Sequence, residues 1–346
     1  MGCSASRSEP FEPHNSKTCA ASTSLLSMNT RLLKTIGLAG VLAAALGFPA
    51  VMSDYWTYVL TIAFFYAAMA ASWNLLAGYT GQFSLGHHTF AMISAYTSTL
   101  LMAKAEVGFG PGIAAGILLA VVLSWALGVV CLKVHGLYLA LITWAFAEVA
   151  RNYLRMHFTF TGGDRGLDSA LLFGTLKPLP YYYLFLGILV FTVGIIAVIM
   201  YSRMGYYLRA IRDDAIAARS MGVHIVRYKV LTFIIASALA GMAGAFYGHS
   251  IGLISPVMGD FNEMAMIIIF VVIGGMRTQT GPVAGAIVIR IALELLREQS
   301  EIRIVILSIL VILIMRFFNG GLMELVHRLP QWLHLGGRES VSAYDK

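Results

Sequence analysis

Long apolar runs separated by short polar stretches fill the chain from about residue 32 to residue 318. A helix needs roughly 20 apolar residues to cross a bilayer, and most of these runs approach that length. The pattern predicts an all-α polytopic membrane protein with about ten transmembrane helices. The predicted spans lie near residues 32–52, 57–77, 84–102, 113–132, 136–152, 181–201, 229–249, 263–276, 283–297 and 302–318.

The pattern also predicts the ends of the chain. Residues 1–30 are rich in serine and lack an apolar run long enough for a signal sequence, so we expect either a disordered extension there or a misplaced start upstream of Met28. Residues 31–320 form the predicted transmembrane domain, and residues 321–346 form the predicted cytoplasmic C-terminal tail.

A charged stretch from Tyr201 to Lys229 separates two of the apolar runs. Its centre, Arg209 to Ser220, contains good helix formers and stops at Gly222, which predicts one short helix held at the membrane surface. Such a helix is typical of a docking element for a soluble partner. The alternative is a solvated basic loop that meets lipid headgroups. The candidate contact residues are Arg212, Asp213, Asp214, Ala217, Ala218 and Gly222.

The basic residues predict the orientation. Cytoplasmic loops of membrane proteins carry an excess of Lys and Arg, which places the 205–224 region in the cytoplasm. With ten spans, both termini are then cytoplasmic. The loop from Asn152 to Pro180 falls outside, although it holds Arg155, Arg165 and Lys177.

Two glycine-rich segments interrupt the apolar runs. The first is Gly78 to Phe90, and the second is Gly274 to Gly285. Broken segments in two halves of a membrane protein are a pointer to a transport route. For the first segment a tight cytoplasmic turn, with its polar groups satisfied locally, is an equal alternative. The candidate path residues are Gly81, Gln82, Ser84, His87, Gly274, Gly275, Thr278, Gly281 and Pro282.

Small residues and charges inside the runs predict packing. Ala240, Gly244 and Gly248 recur every fourth position and form one face on which another helix can approach closely. Arg290 and Glu294 are spaced to pair on one helix face. Because no predicted span holds an isolated acidic residue at its centre, the sequence argues against a proton antiporter.

Composition agrees with a membrane protein, since 58% of residues are hydrophobic and 12% are charged. The net charge of +7 comes largely from basic residues that flank the apolar runs, so we expect no nucleic-acid partner. The three cysteines lack the spacing of a metal site or a disulfide framework. No Gly-Lys dipeptide occurs, which excludes a Walker A loop within this chain.

Four motifs in order carry a family resemblance: Gly81-Gln-Phe-Ser-Leu-Gly-His87, Thr161-Gly-Gly-Asp-Arg-Gly166, the Asp-Asp-Ala-Ile-Ala-Ala-Arg-Ser-Met stretch before Gly222, and Gly274 to Gly285. Together they resemble permease subunits of the branched-chain amino-acid type of ATP-binding-cassette importers. The resemblance covers about residues 35–320 and implies the importer permease fold.

The resemblance implies a transport subunit in a bacterial inner membrane that is not itself an enzyme and needs no cofactor of its own. ATP is bound by separate ATPase subunits, a second permease subunit, usually a paralogue, completes the path, and an extracytoplasmic binding protein delivers substrate. The charged helix within 205–224 resembles the coupling helix, in which Ala217, Ala218 and Gly222 match the family pattern. Ile216 replaces the usual Glu, which leaves Asp213 or Asp214 for an acidic contact.

A second class of function stays open at this point, namely a self-sufficient secondary carrier or channel for a small solute, which the two glycine-broken segments also fit. The substrate class implied by the resemblance is branched-chain amino acids. Related members move urea, amides or aromatic acids, and the sequence does not separate these cases.

Overall fold

The computed structural model describes residues 40, 43–131 and 136–297, together with residues 305, 306, 308, 309, 312, 316 and 321. The predicted N-terminal extension, most of the tail and most of the predicted tenth span lie outside these residues. The chain divides after Ser53. Before this point residues 43–51 form a helix, α1, and everything described below belongs to the second unit.

The second unit is built from helices, with one pair of two-residue strands. The longer helices are α2 (Asp54–Thr80), α3 (His87–Ala105), α4 (Phe109–Cys131), α5 (Leu137–Met156), α7 (Pro178–Tyr201), α8 (Arg203–Asp213), α10 (Ile225–Ile251), α11 (Phe261–Gly274) and α12 (Gly281–Leu295). The shorter elements are α6 (Phe158–Thr161), a 3-10 turn (Gly163–Arg165), β1 (Leu167–Asp168), α9 (Ala215–Ser220), β2 (Leu253–Ile254) and a second 3-10 turn (Pro256–Gly259).

Helix ends follow local sequence signals. Pro178 starts α7, where its missing N–H is not needed. Gly252 ends α10 in the left-handed conformation, with φ of 80°. Asp260 starts α11, and its carboxylate accepts a hydrogen bond from the backbone N–H of Asn262 at 3.3 Å.

Helix α2 is the centre of the unit. It packs against α7, α10 and α12, and almost its whole length is buried. Its large buried side chains include Phe64, Met69, Trp73 and Leu76. A helix that is apolar on all sides is typical of the core of a membrane domain, because no face needs to meet water.

Helix α10 packs against α3 and α4 through the predicted face of small residues. A Cβ added at Gly244 would meet the backbone of Ala91 on α3, and one added at Gly241 would lie 3.1 Å from the Cβ of Ala120 on α4. Gly248 approaches Ala95 in the same way. The prediction of a packing face on this helix is confirmed.

Contacts between connections divide the unit into two ends. At the first, which we call the β1 end, β1 pairs antiparallel with β2, and Leu167 lies opposite Ile254. At the other, the α8 end, Arg212 on α8 donates to the backbone of Gly78 near the end of α2. Each of these contacts joins connections that the sequence assigns to one membrane side.

The structure does not confirm the predicted number of ten spans. In the described part of the chain, four helices are long and apolar enough to cross a membrane: α2, α4, α7 and α10. Helix α11 is apolar and has only 14 residues. Helices α3 and α5 have 19 and 20 residues and carry more polar side chains, among them His87 and Glu148. The protein is therefore all-α and multi-pass.

The predicted pairing of Arg290 with Glu294 is wrong. The carboxylate of Glu294 pairs with Arg297 at 3.1 Å and accepts a hydrogen bond from the hydroxyl of Tyr55 on α2. The guanidinium of Arg290 lies over the ring of Tyr66, 4.8 Å from its centre. The four-residue spacing allowed the pair, but side chains on α2 provide other partners for both groups.

Candidate functional site

The charged stretch between α7 and α10 forms two helices, α8 and α9, which corrects the prediction of one helix from Arg209 to Ser220. The helix is interrupted at Asp214, which has an extended backbone with φ of −153°. Its carboxylate accepts hydrogen bonds from the backbone N–H groups of Ile216 at 2.8 Å and Ala217 at 3.0 Å. Asp214 is therefore the N-cap of α9.

Helix α8 lies along the bundle, while α9 presents an exposed edge. Leu208 and Ile211 on α8 are buried, and so is Ala218 on α9, with 5% of its surface exposed. Ile216 and Met221 are large apolar side chains that are 81% and 85% exposed. Exposed apolar side chains on a charged, well-capped helix are typical of a protein contact surface. We call Ile216, Ala217, Arg219 and Met221 the α9 edge.

The cap at Asp214 leads to a test. Substitution of Asp214 by Ala removes both side-chain hydrogen bonds at the start of α9, and we expect it to destabilise this helix by about 1 kcal/mol. Hydrogen exchange should show faster exchange at Ile216 and Ala217 in the variant. Asp214→Asn is the matched control, since Asn caps helices equally well, and equal exchange in the Ala and Asn variants would contradict the assignment.

Arg212 fixes α8 to the end of α2. Its guanidinium donates to the backbone carbonyl of Gly78 at 3.1 Å and forms an ion pair with Asp213 at 2.8 Å. The Arg212 side chain is largely buried, whereas the Asp213 carboxylate stays mostly exposed. The two neighbouring charged residues are thus placed differently: Arg212 holds the element on the bundle, and Asp213 remains open to solvent.

The first glycine-rich segment connects α2 to α3. Gly78 lies inside α2, so the break is confined to residues 81–86. Gly81 has φ of 69°, a conformation that glycine adopts at little cost. The Gln82 amide donates to the backbone oxygen of Lys229 at 3.3 Å, and the backbone oxygen of Ser84 accepts from Trp73 at 2.7 Å.

His87 and Ser84 are fully buried, and Gln82 is nearly so. The Nε2 atom of His87 shares a hydrogen bond with the hydroxyl of Ser72 at 2.9 Å. Gln82, Ser84 and the Nε2 atom of His87 therefore have local partners, as the tight-turn alternative predicts, whereas the Nδ1 atom of His87 and the hydroxyl of Thr89 have none among the described residues. A role for Gly81, Gln82, Ser84 and His87 in the path stays a prediction.

The second glycine-rich segment joins α11 to α12 in a close helical hairpin. A Cβ added at Gly285 would lie 2.8 Å from the Cα of Gly274, which shows how closely the two helices approach. Gly275 and Arg277 both have positive φ, 110° and 73°. Pro282 follows Gly281 in the first turn of α12, where it is tolerated.

Thr278 closes this hairpin and connects it to α2. Its hydroxyl donates to the backbone oxygen of Gly275 at 2.8 Å and accepts from the N–H of Gly281 at 3.1 Å. Its backbone oxygen accepts from the side-chain amide of Asn74 at 2.9 Å. The structure thus brings both glycine-rich segments and α8 to one end of α2. The sequence showed these three motifs separately and did not predict that they lie together.

Sequence reasoning missed a buried histidine on α10. The Nε2 atom of His249 lies 2.6 Å from the hydroxyl of Ser98 on α3, and its Nδ1 atom lies 2.7 Å from the hydroxyl of Ser169. A third hydroxyl, that of Thr99, is 3.0 Å from Ser169. This network joins α3, α10 and the segment after β1. Its only sequence signal is a histidine within an apolar run.

A second group, of which the sequence shows only the spacing of Glu148 and Arg151, lies nearer the β1 end. Arg151 on α5 pairs with Glu148 at 2.5 Å, as the three-residue spacing allows, and also with Asp260 at 3.3 Å. The contact with Asp260 joins residues that are more than 100 positions apart in the sequence. In the described ranges, no group of three or more His, Cys, Asp and Glu side chains is arranged to hold a metal ion.

A cavity of about 150 Å³ opens between α2, α7 and α10. It lies near the β1 end, away from the glycine-rich segments. Its lining is partly polar, with hydroxyl groups from Tyr58, Thr61, Tyr181, Tyr247 and Ser250.

The chain matches the family described as branched-chain amino acid transport system permease component over residues 55–318. It is similar to the high-affinity branched-chain amino acid transport system permease protein LivM of Escherichia coli (strain K12), with 29% identity over 316 residues that cover 83% of this chain and 74% of the relative. The LivM protein of Salmonella typhimurium is 27% identical over the same shares.

A second kind of relative also matches. The high-affinity branched-chain amino acid transport system permease protein LivH of Escherichia coli (strain K12) is 27% identical over 300 residues, which cover 76% of this chain and 96% of the relative. No solved structure matches the chain.

Proposed function

This chain belongs to the family of branched-chain amino acid transport system permease components, and we propose that it carries branched-chain amino acids across the bacterial inner membrane as one permease subunit of an ATP-binding-cassette importer. The observation that carries the proposal is the family match, which spans residues 55–318 and includes both glycine-rich segments and the α8–α9 element. The chain acts as a transport subunit and not as an enzyme.

We propose that the path is completed by a second, paralogous permease. The chain is similar to two differently named permease proteins, LivM and LivH, and matches the first kind over a larger share of its length. An extracytoplasmic binding protein delivers the substrate. The chain contains no Gly-Lys dipeptide, so ATP binds to separate ATPase subunits.

The α8–α9 element is the proposed coupling element. The exposed Ile216 and Met221 enter a groove on the ATPase, while the buried Ala218 and the contact between Arg212 and Gly78 hold the element against the bundle. Movement of the ATPase is then transmitted to α2, because α8 is bonded to the end of that helix. Asp213 supplies an exposed acidic contact.

We also propose the ten-span topology with both termini in the cytoplasm. The α8 end is the cytoplasmic end, since it carries the basic stretch from Arg203 to Lys229. The β1 end then faces the binding protein. The contacts within each end support this arrangement, and the short α11 and α12 form a hairpin that adds two spans.

The experiment that tests the assembly is a pull-down of tagged chain from its native membrane in mild detergent, with mass spectrometry of the proteins that co-purify. We expect a Walker-motif ATPase and a second permease. Recovery of the chain alone, together with transport by this chain in liposomes without ATP, would instead establish the secondary carrier.

The α9 edge offers a sharper test. Substitution of Ile216 by Asp places a charge in the proposed groove, and we expect recovery of the ATPase in the pull-down to fall about tenfold or more, as for a central interface residue. The second permease should be recovered unchanged. Val226→Asp changes another exposed apolar residue, at the start of α10, and serves as the control. Equal loss of ATPase in both variants would contradict a specific role for Ile216.

A further inference from the structure

A charged cluster on α5 and at the start of α11 has no role in the assembly proposed above. Arg151 donates to Glu148 and pairs with Asp260, and the amide of Asn152 also donates to the Glu148 carboxylate at 2.9 Å. The cluster thus contains one guanidinium group and two carboxylates. Both kinds of charge that recognise an α-amino acid are present within one group of side chains.

Two members of the cluster, Glu148 and Arg151, lie on α5, and the third, Asp260, lies at the junction of the second 3-10 turn with α11. Arg151 precedes Met156, the last residue of α5, by five residues, which corresponds to about 7.5 Å along the helix. Asp260 is the N-cap of α11, a helix that leads from there to the α8 end. Charges at this position in a span cost free energy unless protein or water surrounds them.

Buried polar groups lie in and beside the cluster. His88 on α3 is 3% exposed and lies near Gly259, Asp260 and Arg151. The His88 ring meets the backbone of Gly259 as its nearest polar partner, and the buried Nε atom of Arg151 has no hydrogen-bond partner among the described residues. Buried donors and acceptors normally have a partner, so the cluster has unused capacity to bind a polar ligand.

An aromatic pair adjoins the charges. Trp144 on α5 and Phe261 on α11 lie edge to face with ring centres 6.0 Å apart, and both rings are nearly half exposed. Trp144, Glu148 and Arg151 follow the spacing of one helix face. The aromatic surface therefore continues the charged cluster along α5 toward the α8 end.

This face of α5 is open in the structure. The Glu148 side chain is 39% exposed and that of Asp260 is 34% exposed. A carboxylate that faces lipid within a span is unfavourable, because hydrocarbon cannot solvate its charge. The face is therefore better suited to a water-filled route between permease subunits than to contact with lipid.

We propose that Glu148, Arg151 and Asp260 form a transient binding site for the ammonium and carboxylate groups of an amino acid on its way through the permease. Glu148 and Asp260 receive the ammonium group, and Arg151, with its free Nε, receives the carboxylate. Trp144 and Phe261 contact the apolar side chain of the substrate. This site rests on the proposed function and specifies the chemistry that the path recognises.

The test uses the complete importer, purified with its partner subunits and reconstituted in proteoliposomes with saturating binding protein. Leucine uptake and ATP hydrolysis are measured together. For Glu148→Gln and Asp260→Asn we expect uptake to fall about tenfold or more, as expected for the loss of a charged partner, while ATP hydrolysis remains. Asn at position 260 preserves the cap of α11. The Asp260→Asn variant therefore provides the test if Glu148→Gln fails to assemble.

Asp164→Asn is the matched control, because it removes the exposed ion pair of Asp164 with Arg155 at 2.5 Å outside the cluster. Its uptake should equal that of the wild type. Wild-type rates of uptake in the Glu148 and Asp260 variants would overturn the site and leave the proposed function intact. A wild-type importer that assembles and hydrolyses ATP yet takes up no leucine would overturn the proposed function itself.

A binding measurement separates recognition from structure. The purified permease pair, without binding protein, is heated with millimolar leucine, with isoamylamine, which lacks the carboxylate, or with 4-methylpentanoate, which lacks the ammonium group. We expect leucine alone to raise the melting temperature, and we expect Glu148→Gln to abolish the rise. An equal rise with all three compounds, or an unchanged rise in the variant, would overturn the site.

Discussion

Substitution of Gly244 by Leu is expected to prevent assembly of the membrane domain. A Cβ at this position would overlap the Cα, carbonyl oxygen and Cβ of Ala91 on α3, and backbone atoms cannot move aside as a flexible side chain can. The two helices would have to separate along the whole interface. We expect the free energy of unfolding to fall by about 3 kcal/mol or more, which exceeds the usual cost of overpacking.

The measurement is the yield of monodisperse protein in mild detergent together with its thermal unfolding. Gly187→Leu is the matched control, since this glycine lies on α7 and has no neighbouring atom within 4 Å of an added Cβ. We expect wild-type behaviour in the control. A Gly244→Leu protein with wild-type yield and unfolding temperature would show that α3 and α10 do not approach as closely as described.

Substitution of Gly222 by Pro is expected to uncouple ATP hydrolysis from uptake. Gly222 has φ of 82°, and its N–H donates to the backbone oxygen of Arg219 at 2.9 Å. Proline fixes φ near −65° and has no N–H, so the backbone between α9 and α10 must adopt a different conformation. A proline at an incompatible position costs about 1 kcal/mol or more locally, and we expect uptake to fall about tenfold or more.

Uptake and ATP hydrolysis of the reconstituted importer give the result. We expect the variant to insert and to assemble with its permease partner, because an added Cβ at Gly222 meets no atom within 4 Å. Gly222→Asn is the control, since Asn adopts positive φ more readily than other residues with a side chain. Normal uptake by the proline variant would exclude α9 as the coupling element.

Several parts of the fold follow directly from the sequence. The repeat of Ala240, Gly244 and Gly248 predicted a close helix contact, and the hairpin at Gly274 to Gly285 was visible as a break in an apolar run. Such features depend on residues near one another in the chain. The identity of the helix that meets the small face, α3, depends on the fold and was not predictable from spacing.

The break between α8 and α9 shows why local propensity was insufficient. Arg209 to Ser220 reads as continuous helix, and Asp214 was interpreted as an acidic contact for a partner. In the structure its carboxylate satisfies the first N–H groups of a new helix. The Asp-Asp pair carried this signal, because Asp is a preferred N-cap, but helix formers on both sides obscured it.

The charged groups required long-range information. The pairing of Glu148 with Arg151 is visible as a three-residue spacing, whereas Asp260 reaches Arg151 only because α11 begins beside α5. Glu294 likewise finds Tyr55, a residue 239 positions away. Spacing along one helix gives the candidates for an ion pair, and the neighbouring helices decide which candidate forms.

The burial of α2 constrains the order in which the protein can be made. This helix emerges early from the ribosome, yet the helices that cover it, α7, α10 and α12, are synthesised between Pro178 and Leu295. Until then Asn74 lacks its partner Thr278 and faces lipid or the insertion machinery. A nascent chain that stops before Thr278 therefore lacks the backbone oxygen that accepts from the Asn74 amide, so α2 gains its full set of contacts only when the α11–α12 connection has been made.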